Sequence, residues 1–185
     1  PSDAATVAQI VAMKARAGSI TSYNLSDTAD KLAAADPSIL NGATNIALVS
    51  GTATVEQAAI IDAATNPGTT TFQIADTAAN ILTAPPALLA ADANDPVVIT
   101  DTTVTAAVAT QLRALDAANN GPTGFEIVQG AKTAGDYAIS DTAANLTVTD
   151  TAIATAVGIS TDVRVTGELT IAEATAVRTL SLIHI

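Results

Sequence analysis

Three segments of the chain share one pattern, and the first of them reads YNLSDTADKL at residues 23–32. The others read FQIADTAANI at residues 72–81 and YAISDTAANL at residues 137–146. In each, alternating residues lead to an Asp-Thr pair, and an Ala-rich stretch follows. Alternation with a period of two is typical of a strand, and Asp before a helical stretch marks a helix N-terminus. The pattern therefore predicts a strand that turns a corner into a helix.

The aspartate at each corner is predicted to be a structural N-cap. Its carboxylate accepts hydrogen bonds from the free N–H groups of the first helical turn, which contributes about 1 kcal/mol. Its charge also suits the positive end of the helix dipole. We favour capping over a ladder of cation ligands, because each aspartate comes immediately before a helical pattern. Asn80 and Asn145, four residues after their aspartates, fit a hydrogen-bond ladder between repeats or ordinary solvated positions equally well. The predicted caps are Asp27, Asp76, Asp101 and Asp141.

The corners recur at a nearly constant interval. Corner residues are Asp3, Asp27, Gly51, Asp76 and Asp101, so that successive corners lie 24 or 25 residues apart. A period in the twenties with one strand and one helix is typical of a solenoid, and the return segment is long enough for parallel strands. We predict an α/β solenoid of βα repeats of about 24–25 residues. Parallel strands would form one face and Ala-rich helices the other.

Local signals refine this repeat. Gly18 is expected to end the first helix, and Asp36-Pro37 to begin a short second helix inside its repeat, as Asp150-Thr151 does later in the chain. The repeat breaks between Gly130 and Asp141, where the segment is too short for a normal helix. We expect a truncated repeat or a local hairpin there.

Composition limits the classes of function. The 185 residues carry a net charge of −11, which disfavours nucleic acid or an anionic membrane as partner. No apolar run is long enough for a membrane-spanning helix, so no membrane insertion is expected. Aromatic residues make up only 2%, so the core must consist of small and aliphatic side chains. Cysteine is absent, which excludes disulfides and thiolate metal sites.

The ends of the chain suggest a piece of something longer. We expect residues 1–179 to form a single repeat domain that is a fragment of a longer chain. The final hexapeptide, LSLIHI at residues 180–185, matches the translation of a common transposon-based sequencing adapter. We expect it to be sequencing read-through and exclude it from fold reasoning. His184, the sole histidine, then has no functional weight.

A search for catalytic and metal-binding patterns leaves little. Without cysteine or a usable histidine, nucleophilic triads and zinc sites are disfavoured, and no phosphate-binding Gly-rich loop with Lys is present. We expect no enzyme activity and no cofactor. Asp92 and Asp95 cluster oxygen ligands and are weak calcium candidates, although a plain turn before Pro96 is favoured. Asp116 and Glu173 are expected at solvated helix positions.

The outward face of the strands is the remaining candidate for partner binding, since exposed faces of solenoids often bind partners. Its side chains are small and lack the Tyr, Trp or Arg anchors of strong interfaces, apart from one arginine. The predicted partner face comprises Asn24, Gln73, Val98, Ala138 and Arg164.

The Asp-Thr-Ala-Ala-Asn-Leu/Ile motif at residues 76–81 and 141–146 resembles tandem repeats of large secreted bacterial proteins of the adhesin-like or haemolysin-type calcium-binding-like kind. The first copy departs from it at Asp30 and Lys31. The resemblance implies an extracellular or cell-surface location but no catalytic or calcium-binding residue. The leading hypothesis is a structural or adhesive repeat module whose partners are neighbouring repeats and a surface glycan or protein. The alternative is a ligand-binding solenoid for a glycan or divalent cation.

Overall fold

A computed structural model of the chain describes residues 4–18, 20, 22–49, 51–91, 96–119, 125–147 and 150–180. The helices are α1 Val7–Ala17, α2 Ala29–Ala33, α3 Pro37–Leu40, α4 Val55–Asp62, α5 Ala78–Thr83, α6 Pro86–Ala90, α7 Ala106–Asn119, α8 Ala143–Leu146, α9 Thr151–Ile159 and α10 Ile171–Leu180. The strands are β1 Leu25–Asp27, β2 Ile46–Leu48, β3 Thr70–Thr71, β4 Ala75–Asp76, β5 Val97–Ile99, β6 Ile127–Gln129, β7 Ile139–Thr142 and β8 Val163–Thr166.

The described residues divide into two compact units. Those within Pro1–Ala75 and Pro85–Ala93 form the first unit, and those within Asp76–Ala84 and Asn94–Ile185 form the second. In repeat arrays each repeat contacts only its neighbours, so a division of this kind is also expected inside one repeat domain.

The first unit contains a parallel sheet in the order β1-β2-β3. Leu25 lies opposite Ile46, and Ile46 lies opposite Thr70. On the other side of β1, Ala5 forms a parallel bridge with Leu25. Helix α4 packs against α2 and α6, and α1 packs against α3. The fully buried aliphatic side chains of this unit come from both strands and helices: Ile10, Leu25, Leu32, Ile46, Ile61, Ile74 and Leu89.

The second unit repeats the scheme. Asp76 of β4 accepts the Thr100 N–H (2.9 Å), and β5 pairs in parallel with β6. Strand β7 pairs in parallel with β8, with Ile139 opposite Val163, and Val104 bridges to the other side of Ile139. Helix α7 packs against α5 and α9, while α8 packs against α10. Among its fully buried large side chains are Leu112, Ile127, Tyr137, Ile139, Leu146 and Val157.

The predicted α/β class with parallel strands is confirmed, and the described strands do not close into a barrel. The pairing interval, however, is not constant. Paired residues are separated by 21 positions between Leu25 and Ile46, by 24 between Ile139 and Val163, and by 30 between Val97 and Ile127. The intervening segments differ in content, because β1 and β2 enclose two short helices whereas β5 and β6 enclose the 14-residue α7. The nearly constant spacing of the corner residues therefore does not determine which residues pair between neighbouring strands.

Several local predictions are confirmed. Gly18 follows α1 with a φ of 70°, and its N–H donates to the Lys14 carbonyl. Asp36 caps α3, with Pro37 in the first turn, and Asp150 caps α9. Of the two alternatives for the segment after Gly130, a truncated repeat or a local hairpin, the hairpin is wrong: β6 pairs with β5, β7 pairs with β8, and turns lie between β6 and β7. Asp3, Asp92, Asp95 and residues 181–185 lie outside the described residues.

Each of the three related segments begins with an aromatic residue that is buried or hydrogen-bonded within its unit. Tyr23 donates its hydroxyl to the Ile39 carbonyl (2.6 Å), Phe72 is buried, and Tyr137 is fully buried with its hydroxyl 3.4 Å from the Ile127 carbonyl. Burial raises the pKa of the Tyr137 phenol above its usual range. The Asp116 carboxylate raises this pKa further, while the Arg113 guanidinium partly offsets the shift.

We expect the folded chain to lose stability as the pH rises above about 10, the ordinary tyrosine pKa. The unfolded chain ionises Tyr137 there, whereas the folded chain holds the phenol neutral, so the stabilisation is complete below this pH and is lost as the pH approaches the folded pKa. Urea unfolding at increasing pH measures the effect. Tyr137→Phe should remove most of the alkaline decline; an equally steep decline in this variant would contradict the assignment.

Candidate functional site: a repeated aspartate clamp

The aspartate of the first corner joins two separate segments of the first unit. Oδ2 of Asp27 accepts the N–H of Val7, the first residue of α1, at 3.0 Å. Oδ1 of the same carboxylate accepts the N–H of Thr28 at 2.9 Å. Val7 and Asp27 are 20 residues apart, so one side chain connects the end of β1 to the start of a helix in the preceding segment. Negative charge at this position is favoured by the helix dipole.

Asp141 makes the same connection in the second unit. Its Oδ2 accepts the N–H of Ala106, the first residue of α7, at 3.1 Å. Its Oδ1 accepts the Thr142 N–H at 2.8 Å and the Asn145 side-chain amide at 2.7 Å. Only 8% of Asp141 is exposed, so these donors stand in for water around a charged group. A charge at this depth is tolerated only when it is well hydrogen-bonded.

The two remaining predicted caps each share part of this arrangement. Asp76 is 8% exposed, and its Oδ1 accepts the Thr77 N–H (2.7 Å) and the Asn80 side-chain amide (2.8 Å). Oδ2 of Asp101 accepts the N–H of Ala78, the first residue of α5, at 2.6 Å. Asp101 is therefore also bound to a helix that precedes it in the chain.

The predicted capping role needs a correction. The N-cap residues of α2, α5 and α8 are Thr28, Thr77 and Thr142, each one position after the aspartate, and α7 does not begin until Ala106. Asp27, Asp76 and Asp141 are still strand residues, so the cap position passes to the threonine that follows. For Asp27, Asp101 and Asp141, the helix whose first N–H they bind is an earlier one.

The aspartate bond belongs to a recurring set of three hydrogen bonds. We call the receiving segment a clamp: an apolar residue, a threonine and the first residue of the helix. In the first clamp, Ala5-Thr6-Val7, the Ala5 N–H donates to the Asn24 carbonyl and the Ala5 carbonyl accepts the Ser26 N–H, both at 2.9 Å. The Val7 N–H then binds Asp27. One clamp thus forms hydrogen bonds to both chain neighbours of Leu25 and to the aspartate that follows them.

The clamp of the second unit, Val104-Thr105-Ala106, matches this set. The Val104 N–H donates to the Ala138 carbonyl at 2.8 Å, and its carbonyl accepts the Ser140 N–H at 2.9 Å. The Ala106 N–H binds Asp141. In a third clamp, Ala53-Thr54-Val55, the Ala53 N–H donates to the Gln73 carbonyl at 2.7 Å and its carbonyl accepts the Ala75 N–H at 2.9 Å.

A capping box holds the helix start of several clamps in place. Thr6 and Gln9, like Thr54 and Gln57, exchange hydrogen bonds between side chain and backbone N–H. Thr170 and Glu173 do the same at the start of α10, and these bonds lower the pKa of the Glu173 carboxyl below its usual value. Such reciprocal bonds satisfy two of the free N–H groups of a helix start. Glu173 is therefore not the merely solvated residue that the sequence predicted.

Asparagine side chains play two distinct roles. Asn80 and Asn145 are exposed and bind the aspartate four residues before them, so of the two alternatives, a ladder between repeats or a solvated position, they do not form the ladder. A ladder is formed elsewhere: the Asn45 side-chain amide donates to Asn24 Oδ1 (2.9 Å), and Asn45 Oδ1 accepts the Thr69 N–H (2.9 Å). Asn24 lies directly before β1 and Asn45 directly before β2, and this position was the only signal in the sequence for the ladder.

Asp116 was also misjudged from the sequence. This helix residue is buried, and its Oδ1 accepts the Ile127 N–H at 2.8 Å, which ties α7 to the start of β6. A carboxylate on an Ala-rich helix looks solvated when only its own helix is considered.

The predicted partner face is only partly exposed. Asn24 and Gln73 in the first unit and Val98 in the second are half-buried, and Arg164 is exposed. Ala138 is 4% exposed, which contradicts its assignment to an open face. Its N–H donates to the side-chain carbonyl of Gln129, the last residue of β6.

The clamp that holds Asp141 offers little room for a ligand. A depression of about 210 Å³ beside Asp141 is below the usual size of a small-molecule site, about 300–1,000 Å³. In the first unit a larger open groove of about 520 Å³ is lined by Ala4, Ala5, Gln9, Ala12, Met13 and Arg16. Within the described part of the chain, no three His, Cys, Asp or Glu residues are grouped so that they could hold a metal ion.

No helix among the described residues is long and apolar enough to cross a membrane. No family model, curated protein or solved structure matches the chain.

Asp141→Asn should destabilise the second unit by about 2 kcal/mol or more, the range for hydrogen bonds to a charged group. Asparagine has one carbonyl oxygen, whereas Asp141 accepts donors on both oxygens. The amide NH₂ would therefore face either the Ala106 N–H or the Thr142 N–H. Urea unfolding of the full chain measures the loss.

Asp150→Asn is the matched control. Asp150 caps its own helix α9 through Oδ1, and asparagine is an equally good N-cap, so the change should stay within about 0.5 kcal/mol. Equal losses in the two variants would show that Asp141 is an ordinary cap.

Proposed function

We propose that the chain is a structural repeat module of an exported bacterial surface protein, built as a solenoid of βα repeats. The observation that supports this most strongly is the recurrence of one clamp. The same three hydrogen bonds join Ala5–Val7 to residues 24–27 and Val104–Ala106 to residues 138–141. Recurrence of the same hydrogen bonds between successive segments is typical of repeat proteins, which form extended spacers, rather than of compact enzymes.

The chemistry of the described residues supports a passive role. The clamps consist of small and aliphatic residues and threonine, and the aspartates that they hold are already bound to backbone N–H groups. Strong protein interfaces use Trp, Tyr and Arg anchors, and Tyr137 is buried while Tyr23 is bound to Ile39. We therefore propose no catalytic role and no resident cofactor. Neighbouring repeats of the parent chain are the main partners in this proposal.

The proposed location, extracellular or at the cell surface, rests on the resemblance to repeats of large secreted adhesin-like proteins. High acidity is compatible with it, since a net charge of −11 keeps a long exposed array soluble. In an adhesive variant of the same role, a surface glycan or protein would bind the exposed strand residues such as Arg164.

A ligand-binding solenoid is the second candidate, and the open groove beside α1 favours it. This groove has the volume of a small-molecule site, and Gln9 and Arg16 provide polar groups at its wall. Its remaining lining is alanine and methionine, which gives few polar contacts for a glycan.

Calcium separates the two candidates. A cation site filled at about one hundred times its Kd would add about 2.7 kcal/mol, which raises the Tm of a chain of this size by roughly 5–10 °C. For a structural module we expect a shift of at most about 2 °C relative to sodium chloride of the same ionic strength. Thermal unfolding followed by circular dichroism measures it.

A larger rise that is specific to calcium would contradict the passive role of the carboxylates. A glycan array probed with the same chain tests the other ligand class. Saturable binding that is lost in Arg16→Ala would place a glycan in the groove beside α1 and overturn the purely structural proposal.

A further inference from the structure

The segment Leu169-Thr170-Ile171 has the composition of a clamp, but no strand of the described part of the chain pairs with it. It consists of an apolar residue, a threonine and the first residue of α10, as in Ala5-Thr6-Val7 and Val104-Thr105-Ala106. Thr170 and Glu173 form the same type of reciprocal bonds as Thr6 and Gln9. The N-terminus of α10 is thus capped in the same way as that of α1 in an occupied clamp.

The three groups that an occupied clamp uses have no partner among the described residues at this position. Among the described residues, nothing bonds to the N–H or the carbonyl of Leu169, or to the N–H of Ile171. In the occupied clamps the equivalent groups bind the two backbone positions around a strand residue and the aspartate that follows it.

The apolar side chains of this segment are also uncovered. Leu169 is 40% exposed, whereas its counterparts Ala53 and Val104 are buried. Ile171 is 89% exposed, whereas its counterpart Ala106 is buried. An exposed isoleucine at the first position of a helix, beside an exposed leucine, leaves apolar area that a docked strand would cover.

We propose that Leu169-Thr170-Ile171 is an empty clamp that docks one extended acidic strand of the form x-apolar-x-Asp-Thr. This form is the one that the occupied clamps hold in Asn24–Thr28 and Ala138–Thr142. The inference deepens the proposed repeat module by naming the chemistry of its partner. The docked strand runs parallel to the clamp, as Leu25 does beside Ala5 and Ile139 beside Val104.

The aspartate of the docking strand provides the selectivity. Its carboxylate accepts the Ile171 N–H at the start of a 10-residue helix, where the dipole favours negative charge. The backbone of the strand satisfies both groups of Leu169, as in other cases where an extended peptide adds to an exposed edge. The apolar residue of the strand covers Leu169 and Ile171.

A synthetic peptide with the sequence of residues 137–146, blocked at both ends, tests the proposal against the isotope-labelled full chain. Saturable NMR shifts are expected at the amides of residues 168–172. A Kd near 1 mM would be measurable with about 5 mM peptide. No saturable shift at that concentration, or shifts confined to other regions, would overturn the proposal.

Two further comparisons isolate the aspartate contact. A peptide with Asn in place of Asp141 should bind at least about tenfold more weakly, because the bond to a charged acceptor is lost. In the chain, Ile171→Pro removes the N–H while keeping the helix start, since proline is favoured at the first helical position. It should weaken binding of the unchanged peptide by about tenfold or more.

Ile171→Ala is the control, because it keeps the N–H and reproduces the residue found at Ala106. Its affinity should lie much closer to that of the unchanged chain than that of Ile171→Pro does. Equal affinities of the two variants would show that Ile171 N–H does not bind the aspartate. A calcium or glycan site would contradict the proposed function without altering these peptide results, so the two failures are distinguishable.

Discussion

A carboxylate that accepts backbone N–H groups from two segments is the interaction on which the rest of this structure depends. Asp27 and Asp141 each bind the residue that follows them and the first residue of a helix that precedes them in the chain. Burying a charge is costly unless donors replace its water, and two or three donors do so here. The charge is balanced by a helix N-terminus rather than by Lys or Arg, which fits a chain with 7 basic and 18 acidic residues.

Because these contacts are made to backbone groups, a sequence of low complexity can specify which helix start binds which strand. A clamp needs only an apolar residue, a threonine that caps, and a helix start; the strand needs only an apolar residue and an aspartate two positions later. The core is built mostly of Ala, Val, Leu and Ile, with a few buried aromatic residues such as Phe72 and Tyr137. Among the described residues, the ion pair between Arg164 and Asp162 (3.4 Å) is exposed and contributes little, whereas that between Lys132 and Asp136 (3.8 Å) is half-buried.

Much of the fold could be predicted from local sequence because its signals are local. Alternation identified the strands, Asp36-Pro37 and Asp150 identified second helices, and the length of the return segment identified parallel pairing. The partner of each aspartate could not be predicted in the same way. Asp27 binds a residue 20 positions earlier and Asp141 one 35 positions earlier, because the 14-residue α7, β6 and the turns after β6 lie between Ala106 and Asp141. A cap assigned from adjacent residues therefore names the wrong helix.

The same limit explains the errors at Ala138 and Asp116. Asp116 lies within α7 and Ala138 directly before β7, and each is bonded by a residue of β6: Ile127 donates to Asp116, and Gln129 accepts from Ala138. Periodicity gives the face of a strand or helix on which a residue lies, but it does not show whether an irregular segment covers that face.

Scalar couplings across hydrogen bonds, measured by NMR between amide nitrogen and side-chain carboxyl carbon, test the central claim most directly. The account predicts a correlation from the Ala106 amide to Asp141 Cγ and another from the Val7 amide to Asp27 Cγ. Correlations from Asp141 and Asp27 only to amides of the helices that follow them, with none to Ala106 or Val7, would contradict it.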